Sequence, residues 1–171
     1  MEDCVKISRE WNVDGIILLG AKREGYYKMK DSLSVPVVSI DTPFSATDAE
    51  YTNIGLEDFE AAKEMTRYLL SMGHRKIAFF SLTEGGELLE KHYIDSERYR
   101  GFKEAMEEEG LVSEGWHNLS FVEEIRKKQY FSFYEENFFH ATALFFTADI
   151  MALEMMRFCM DRGISIPEKL P

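Results

Sequence analysis

Three groups of polar residues follow apolar runs in this chain, and their types suit the holding of a small molecule. Asp41 follows Val35–Ile40, Ser81 to Thr83 follow Phe80, and Thr147 to Asp149 follow Phe146. Carboxylates only accept hydrogen bonds, whereas hydroxyls both donate and accept. Three such points converging could grip a polyhydroxylated or heterocyclic ligand. Convergence is expected if the runs are strands of an open α/β sheet, where ligands bind beyond the carboxyl ends of the strands. Taken singly, each position is more often a turn residue or a helix cap, as Asp149 is when read as an N-cap. The set is more informative than its members.

Covalent and metal chemistry find no support in the residue pattern. G-x-G-x-x-G, a Walker loop, G-x-S-x-G and H-E-x-x-H are all missing. The histidines, His74, His92, His117 and His140, are scattered without ligand spacing. Glu107-Glu108-Glu109 reads as a solvated helix face. The expectation is a binding protein with no catalytic residue, no metal and no cofactor.

The elements that must position the polar groups alternate between short apolar runs and segments of helical period, the signature of an α/β sheet. Strands are expected over Gly15–Leu19, Val35–Ile40, Tyr51–Ile54, Lys76–Ser81 and Ala141–Thr147. Helices are expected over Arg23–Leu33, Glu57–Met72, Asp95–Glu109, Glu123–Phe138 and Asp149–Arg162. In Glu57–Met72, Ala61, Ala62, Met65, Tyr68 and Leu69 recur at helical spacing, acids open the first turn and Gly73 stops it. One further strand lies between the third and fourth helices, so the expected order is β-α-β-β-α-β-α-β-α-β-α.

Charge narrows the partners. Of 171 residues 20 are basic and 31 acidic, a formal net charge of −11. Phosphate backbones are bound by clustered Lys and Arg that release counterions. The longest basic runs, Arg126-Lys127-Lys128 and His74-Arg75-Lys76, are short and have acidic neighbours. An acidic segment of this kind argues against nucleic acid and against an anionic membrane surface. Cys4 and Cys159 are too far apart in sequence to suggest a disulfide framework and read as reduced thiols of a cytoplasmic protein. No run approaches the ~20 apolar residues of a membrane span.

Several stretches, taken together and in order, resemble the effector-binding core of the LacI/GalR family of bacterial transcription regulators. They are Val13–Leu18, Val35–Asp41, Leu70–Phe79, Arg98–Met106 with its R-x-x-G-[FYW] pattern, Thr147–Leu153 and Arg162–Glu168. The resemblance covers nearly the whole chain. It implies an α/β fold of the periplasmic-binding-protein-like type I, with parallel sheets covered by helices on both faces and two lobes around a cleft for a small effector, a sugar or purine. By family standards the core is incomplete at both ends: residues 1–54 would be a remnant of the first lobe and 55–171 most of the second. The helix-turn-helix DNA-binding domain would be absent, so operator contact would come through a separate domain of a homodimeric regulator.

The resemblance also implies site residues. Arg98 matches the arginine that reaches into the cleft, where a planar guanidinium grips oxygens bidentately. Asp41 matches a strand-end contact of the first lobe, and Asp149 the aspartate of the family's Asn-Asp pair. Ser81 and Thr83 stay candidates from the strand-end rule. Phe121 could stack on the ligand or sit in the core of the second lobe. Two departures stand out: Ala148 replaces the family's asparagine, and the segment from Leu82 to Asp95 is longer than expected. Two alternatives remain. A sugar-binding transport receptor of the same fold would call for a signal peptide or lipoprotein cysteine. A flavodoxin-like doubly wound enzyme would call for a phosphate-cradling glycine loop.

Overall fold

The computed structural model describes residues 2–19, 32–40, 52–82, 93–111, 116–120, 122–136 and 140–169. The chain divides into two compact units, Met1–Glu57 and Asp58–Pro171.

The first unit holds helix α1 (Glu2–Glu10) and strands β1 (Ile16–Leu19), β2 (Val37–Ile40) and β3 (Thr52–Ile54). The strands form a parallel sheet in the order β1-β2-β3, with Leu19, Ile40 and Ile54 in register. Leu18 and Ser39 are buried, and the Ser39 hydroxyl donates to Asn53 Oδ1 at 2.8 Å. Helix α1 has no counterpart among the expected elements, because nine residues give too little length for helical periodicity to show. The expected helix over Arg23–Leu33 falls mostly outside the described residues; Ser32 and Leu33, its last two positions, are not helical.

The second unit is built on β4 (Ile77–Leu82), flanked by β5 (Trp116–Leu119) and β6 (Ala143–Phe146) in the parallel order β5-β4-β6. Its helices are α2 (Asp58–Ser71), α3 (Tyr93–Glu108), α4 (Glu123–Glu136) and α5 (Asp149–Asp161). A strand buried on both faces sends alternate side chains to opposite layers. Ile77 and Phe79 join Leu70 of α2 and Phe102, Ala105 and Met106 of α3 in one apolar cluster. Ala78 and Phe80 join Tyr130 and Phe133 of α4 and Met151, Met155 and Cys159 of α5 in another. Ring contacts tighten both layers: Phe79 lies 5.1 Å from Phe145 and Phe80 4.8 Å from Phe146, centroid to centroid. Burial pushes the Cys159 thiol above its ordinary pKa.

The helix ends follow from residue type. Gly73 and Gly110 take positive φ values of 95° and 69°, a region that costs glycine little, and they stop α2 and α3. Among the described residues no helix is long and apolar enough to cross a membrane.

Chain direction gives this sheet its functional edge. From β4 the chain crosses by α3 to β5 on one side; from β5 it returns by α4 to β6 on the other. The helix that follows β4 and the helix that follows β6 therefore lie on opposite faces, and the strand ends of β4 and β6 are neighbours. Such a switch point leaves a crevice beyond the carboxyl ends of the two strands.

Candidate functional site

At that switch point the turn after β6 is drawn to the central strand, where Thr147 N–H donates to the Phe80 carbonyl at 3.0 Å. Ala148 is the N-cap of α5, in extended backbone (φ −141°, ψ 144°), and it offers no side-chain capping bond. Asp149 is the first helical residue rather than the cap. Its Oδ1 accepts the Ile150 N–H at 2.7 Å, and the side chain is exposed. A carboxylate here is stabilised by the partial positive charge of the helix start.

Arg98 reaches the same turn from α3. Its Nη1 donates to the Thr147 carbonyl at 2.6 Å and its Nε to Asp58 Oδ1 at 2.7 Å. The Arg98 side chain is 27% exposed and that of Asp58 12%. Among the described residues Nη2 has no hydrogen-bond partner. Arg98 thus ties together the start of α2, the body of α3 and the end of β6.

This geometry explains the spacing from Arg98 to Gly101. Residues three apart share a helix face. A Cβ at Gly101 would stand 2.1 Å from the Phe59 carbonyl oxygen and 3.0 Å from the Lys63 nitrogen, both backbone atoms of α2. Only a residue without a side chain allows the helices to approach this closely, and one turn earlier that approach brings Arg98 within bonding distance of Asp58.

A charged seam extends the contact. Lys63 Nζ meets Glu104 Oε1 at 2.5 Å and Glu108 Oε1 at 2.8 Å, and Arg67 Nη2 meets Glu108 Oε2 at 2.7 Å. Hydrogen bonding to Glu104, then to Glu108, raises the Lys63 pKa. Hydrogen bonding to Lys63, then to Arg67, lowers that of Glu108. Glu108, grouped by its sequence neighbours with a solvated face, is in fact a bridge between helices.

On the other face, Arg126 is buried and grips both oxygens of Glu154 at 2.6 Å. Its Nη1 donates to the Ser120 carbonyl at 2.8 Å, and the Tyr130 hydroxyl donates to Glu154 Oε2 at 3.2 Å. The Arg126 hydrogen bond lowers the Glu154 pKa, while burial is the main cause raising that of Tyr130. The basic run Arg126-Lys127-Lys128 is therefore no basic patch: Arg126 faces inward and Lys127 pairs with Glu123.

Of the residues expected at the site, the structure brings together Arg98 and the Thr147–Asp149 turn. Ser81, expected at the exposed end of its strand, is not an end residue. It lies inside β4, fully buried and opposite Asn118, because the central strand continues to Leu82 while paired with β5. Asp41, Thr83 and Phe121 lie outside the described residues. Asp58 carries no signal in sequence beyond its place among the acids opening α2, which reads as helix-dipole complementarity.

Comparison with known proteins agrees with this architecture. The periplasmic binding protein-like domain family matches residues 66–171. The HTH-type transcriptional regulator GntR of Escherichia coli (strain K12) is 34% identical over 104 residues, covering 60% of this chain and 28% of that protein. Catabolite control protein A of Staphylococcus aureus (strain Mu50) is 31% identical over 160 residues, covering 92% of this chain and 46% of that protein. The chain thus spans less than half the length of these relatives. Among solved structures, the transcription regulator CcpA of Lactococcus lactis superposes with a TM-score of 0.78 at 24% identity, covering 99% of this chain and 59% of that one. The probable maltose operon transcriptional repressor malR of Staphylococcus aureus gives 0.79 at 20% identity, covering 98% and 58%; at such identities the likeness is one of fold. The relatives are transcription regulators rather than transport receptors or enzymes. The chain belongs to the periplasmic binding protein-like domain family.

Proposed function

We propose that this chain is the effector-sensing part of a bacterial, cytoplasmic transcription regulator. It binds a small effector of the sugar or purine class and thereby controls operator binding by a separate DNA-binding domain of a homodimer. Residues 1–54 belong to the first effector-binding lobe and 55–171 to the second. One observation carries the reading: an arginine held at the switch point of the second sheet by Asp58 and the Thr147 carbonyl, with Nη2 unbonded among the described residues. Arg98 supplies N–H groups to effector oxygens or ring acceptors, and the exposed Asp149 carboxylate accepts from hydroxyl or ring N–H donors. Coupling to DNA is a population shift, since an effector acts only through its differential affinity for two arrangements of the protein. The acidic balance of this segment, −11 overall, fits a part that leaves operator contact to another domain.

The test is titration calorimetry against a panel of sugars and purines with wild type and Arg98→Ala, with circular dichroism to verify the fold. The expected result is one or more ligands bound by wild type and lost from the variant. Binding unchanged in Arg98→Ala would remove Arg98 from the site.

A further inference from the structure

Resting on the effector reading above, we propose that Asp58 sets the charge class of the ligand. The site takes an uncharged molecule rich in hydroxyl or carbonyl oxygens and discriminates against carboxylates and phosphates. An arginine presented alone at a crevice is an anion receptor, because its planar fork matches a carboxylate or phosphate and its charge persists at all working pH values. Arg98 is not presented alone. Its Nε is bonded to Asp58 at 2.7 Å, so the guanidinium charge is matched before any ligand arrives. A second acceptor, the Thr147 carbonyl, takes Nη1 at 2.6 Å. Two residues further on stands the exposed Asp149 carboxylate. The neighbouring Arg100 faces Glu97 at 2.5 and 2.7 Å.

Counted by charge, Arg98 is balanced by Asp58, and Asp149 adds a negative charge. Among the described residues, an incoming anion meets N–H donors whose positive charge Asp58 already matches, together with the Asp149 carboxylate that repels it. A neutral acceptor takes the same N–H groups without that repulsion, and its own hydroxyls can donate to Asp149. Asp58, only 12% exposed and accepting from Arg98 Nε through its Oδ1, is a specificity-determining residue that also orients the fork.

The experiment compares wild type, Asp58→Asn and Asp58→Glu using matched neutral and anionic probes: D-glucose with D-gluconate and D-glucose 6-phosphate, and adenosine with adenosine monophosphate. Inorganic phosphate serves as a bare anion, followed through the 15N–1H signal of Arg98 Nε. In wild type the neutral member of a pair binds about tenfold or more tighter than its anionic partner. Asp58→Asn abolishes or reverses that ratio, and Asp58→Glu retains it. Phosphate moves the Arg98 signal in Asp58→Asn and leaves wild type unmoved. The proposal is overturned if wild type binds an anionic probe as tightly as its neutral partner, or if phosphate moves Arg98 equally in wild type and Asp58→Asn. If no pair binds wild type but phosphate still moves Arg98 only in Asp58→Asn, the effector reading fails while the neutralisation of Arg98 by Asp58 stands.

Discussion

Replacing Gly101 by alanine sets two effects of opposite sign against each other, and the structure decides which wins. In an exposed helix interior the exchange stabilises by about 1 kcal/mol, since glycine is the poorer helix former. At Gly101 the new methyl carbon would stand 2.1 Å from the Phe59 carbonyl oxygen, where ordinary contact begins beyond 3 Å. Both crowded atoms are backbone of α2, so no side chain can swing aside; the helices must separate by roughly 1 Å, and overpacking of this kind costs about 1–3 kcal/mol. Separation also stretches the Arg98–Asp58 bond from 2.7 Å, losing a charge-assisted contact of about 1–2 kcal/mol once the partial exposure of Arg98 is discounted. The net expectation is destabilisation of about 1–4 kcal/mol, which at this chain length lowers Tm by roughly 3–15 °C. Urea unfolding followed by circular dichroism, with thermal melts beside it, measures this directly. A Gly101→Ala protein as stable as wild type, or more stable, would show that propensity wins and that the helices do not depend on this close approach.

Three further outcomes follow from the same geometry. The Glu154 carboxyl is held below its ordinary pKa of about 4.5 by Arg126, so its stabilising contribution is present above that value and is lost as pH falls toward the folded-state pKa. Glu154→Gln should therefore lower stability at pH 7 by about 1–3 kcal/mol and flatten the acid limb below about pH 4.5; an unchanged acid limb in urea titrations from pH 7 to 3 would count against the Arg126 pairing. Cys159, fully buried with its thiol pKa raised, should resist iodoacetamide in the native protein and react in denaturant; native alkylation at that residue in peptide maps would contradict its burial. Arg98→Ala should leave the helix content of α3 intact while abolishing effector binding, and an unfolded variant would instead make Arg98 a structural keystone.

The site depends on an order of events along the chain that has little to do with the residues in it. Because β5 and β6 lie on opposite sides of β4, the helices following β4 and β6 take opposite faces. A crevice must open between those strand ends, whatever side chains are there. Arg98 enters it one turn before the glycine that lets its helix approach α2. On the proposed function the R-x-x-G pattern serves packing and binding together: the packing at Gly101 is in the structure, and the binding at Arg98 is what calorimetry tests.

Element order was legible in the residues themselves because it rests on local periodicity. The apolar run Ile77–Phe80 of β4 marks a strand, and the 3.6-residue recurrence from Ala61 to Leu69 marks α2, with Gly73 as its stop. The switch-point turn at Thr147–Asp149 was legible for the same reason: it is where an apolar run gives way to a helix start. Pairing was not. Asp58 with Arg98, Lys63 with Glu104 and Arg126 with Glu154 are separated by 40, 41 and 28 positions. A charged residue on a helix looks the same in sequence whether water or a neighbouring helix faces it. Ser81 shows the converse case, a hydroxyl that reads as a strand end until the neighbouring strand is seen to cover it. What folding added was the crossing of the helices over the sheet, which sets the distances between charges that no local pattern encodes.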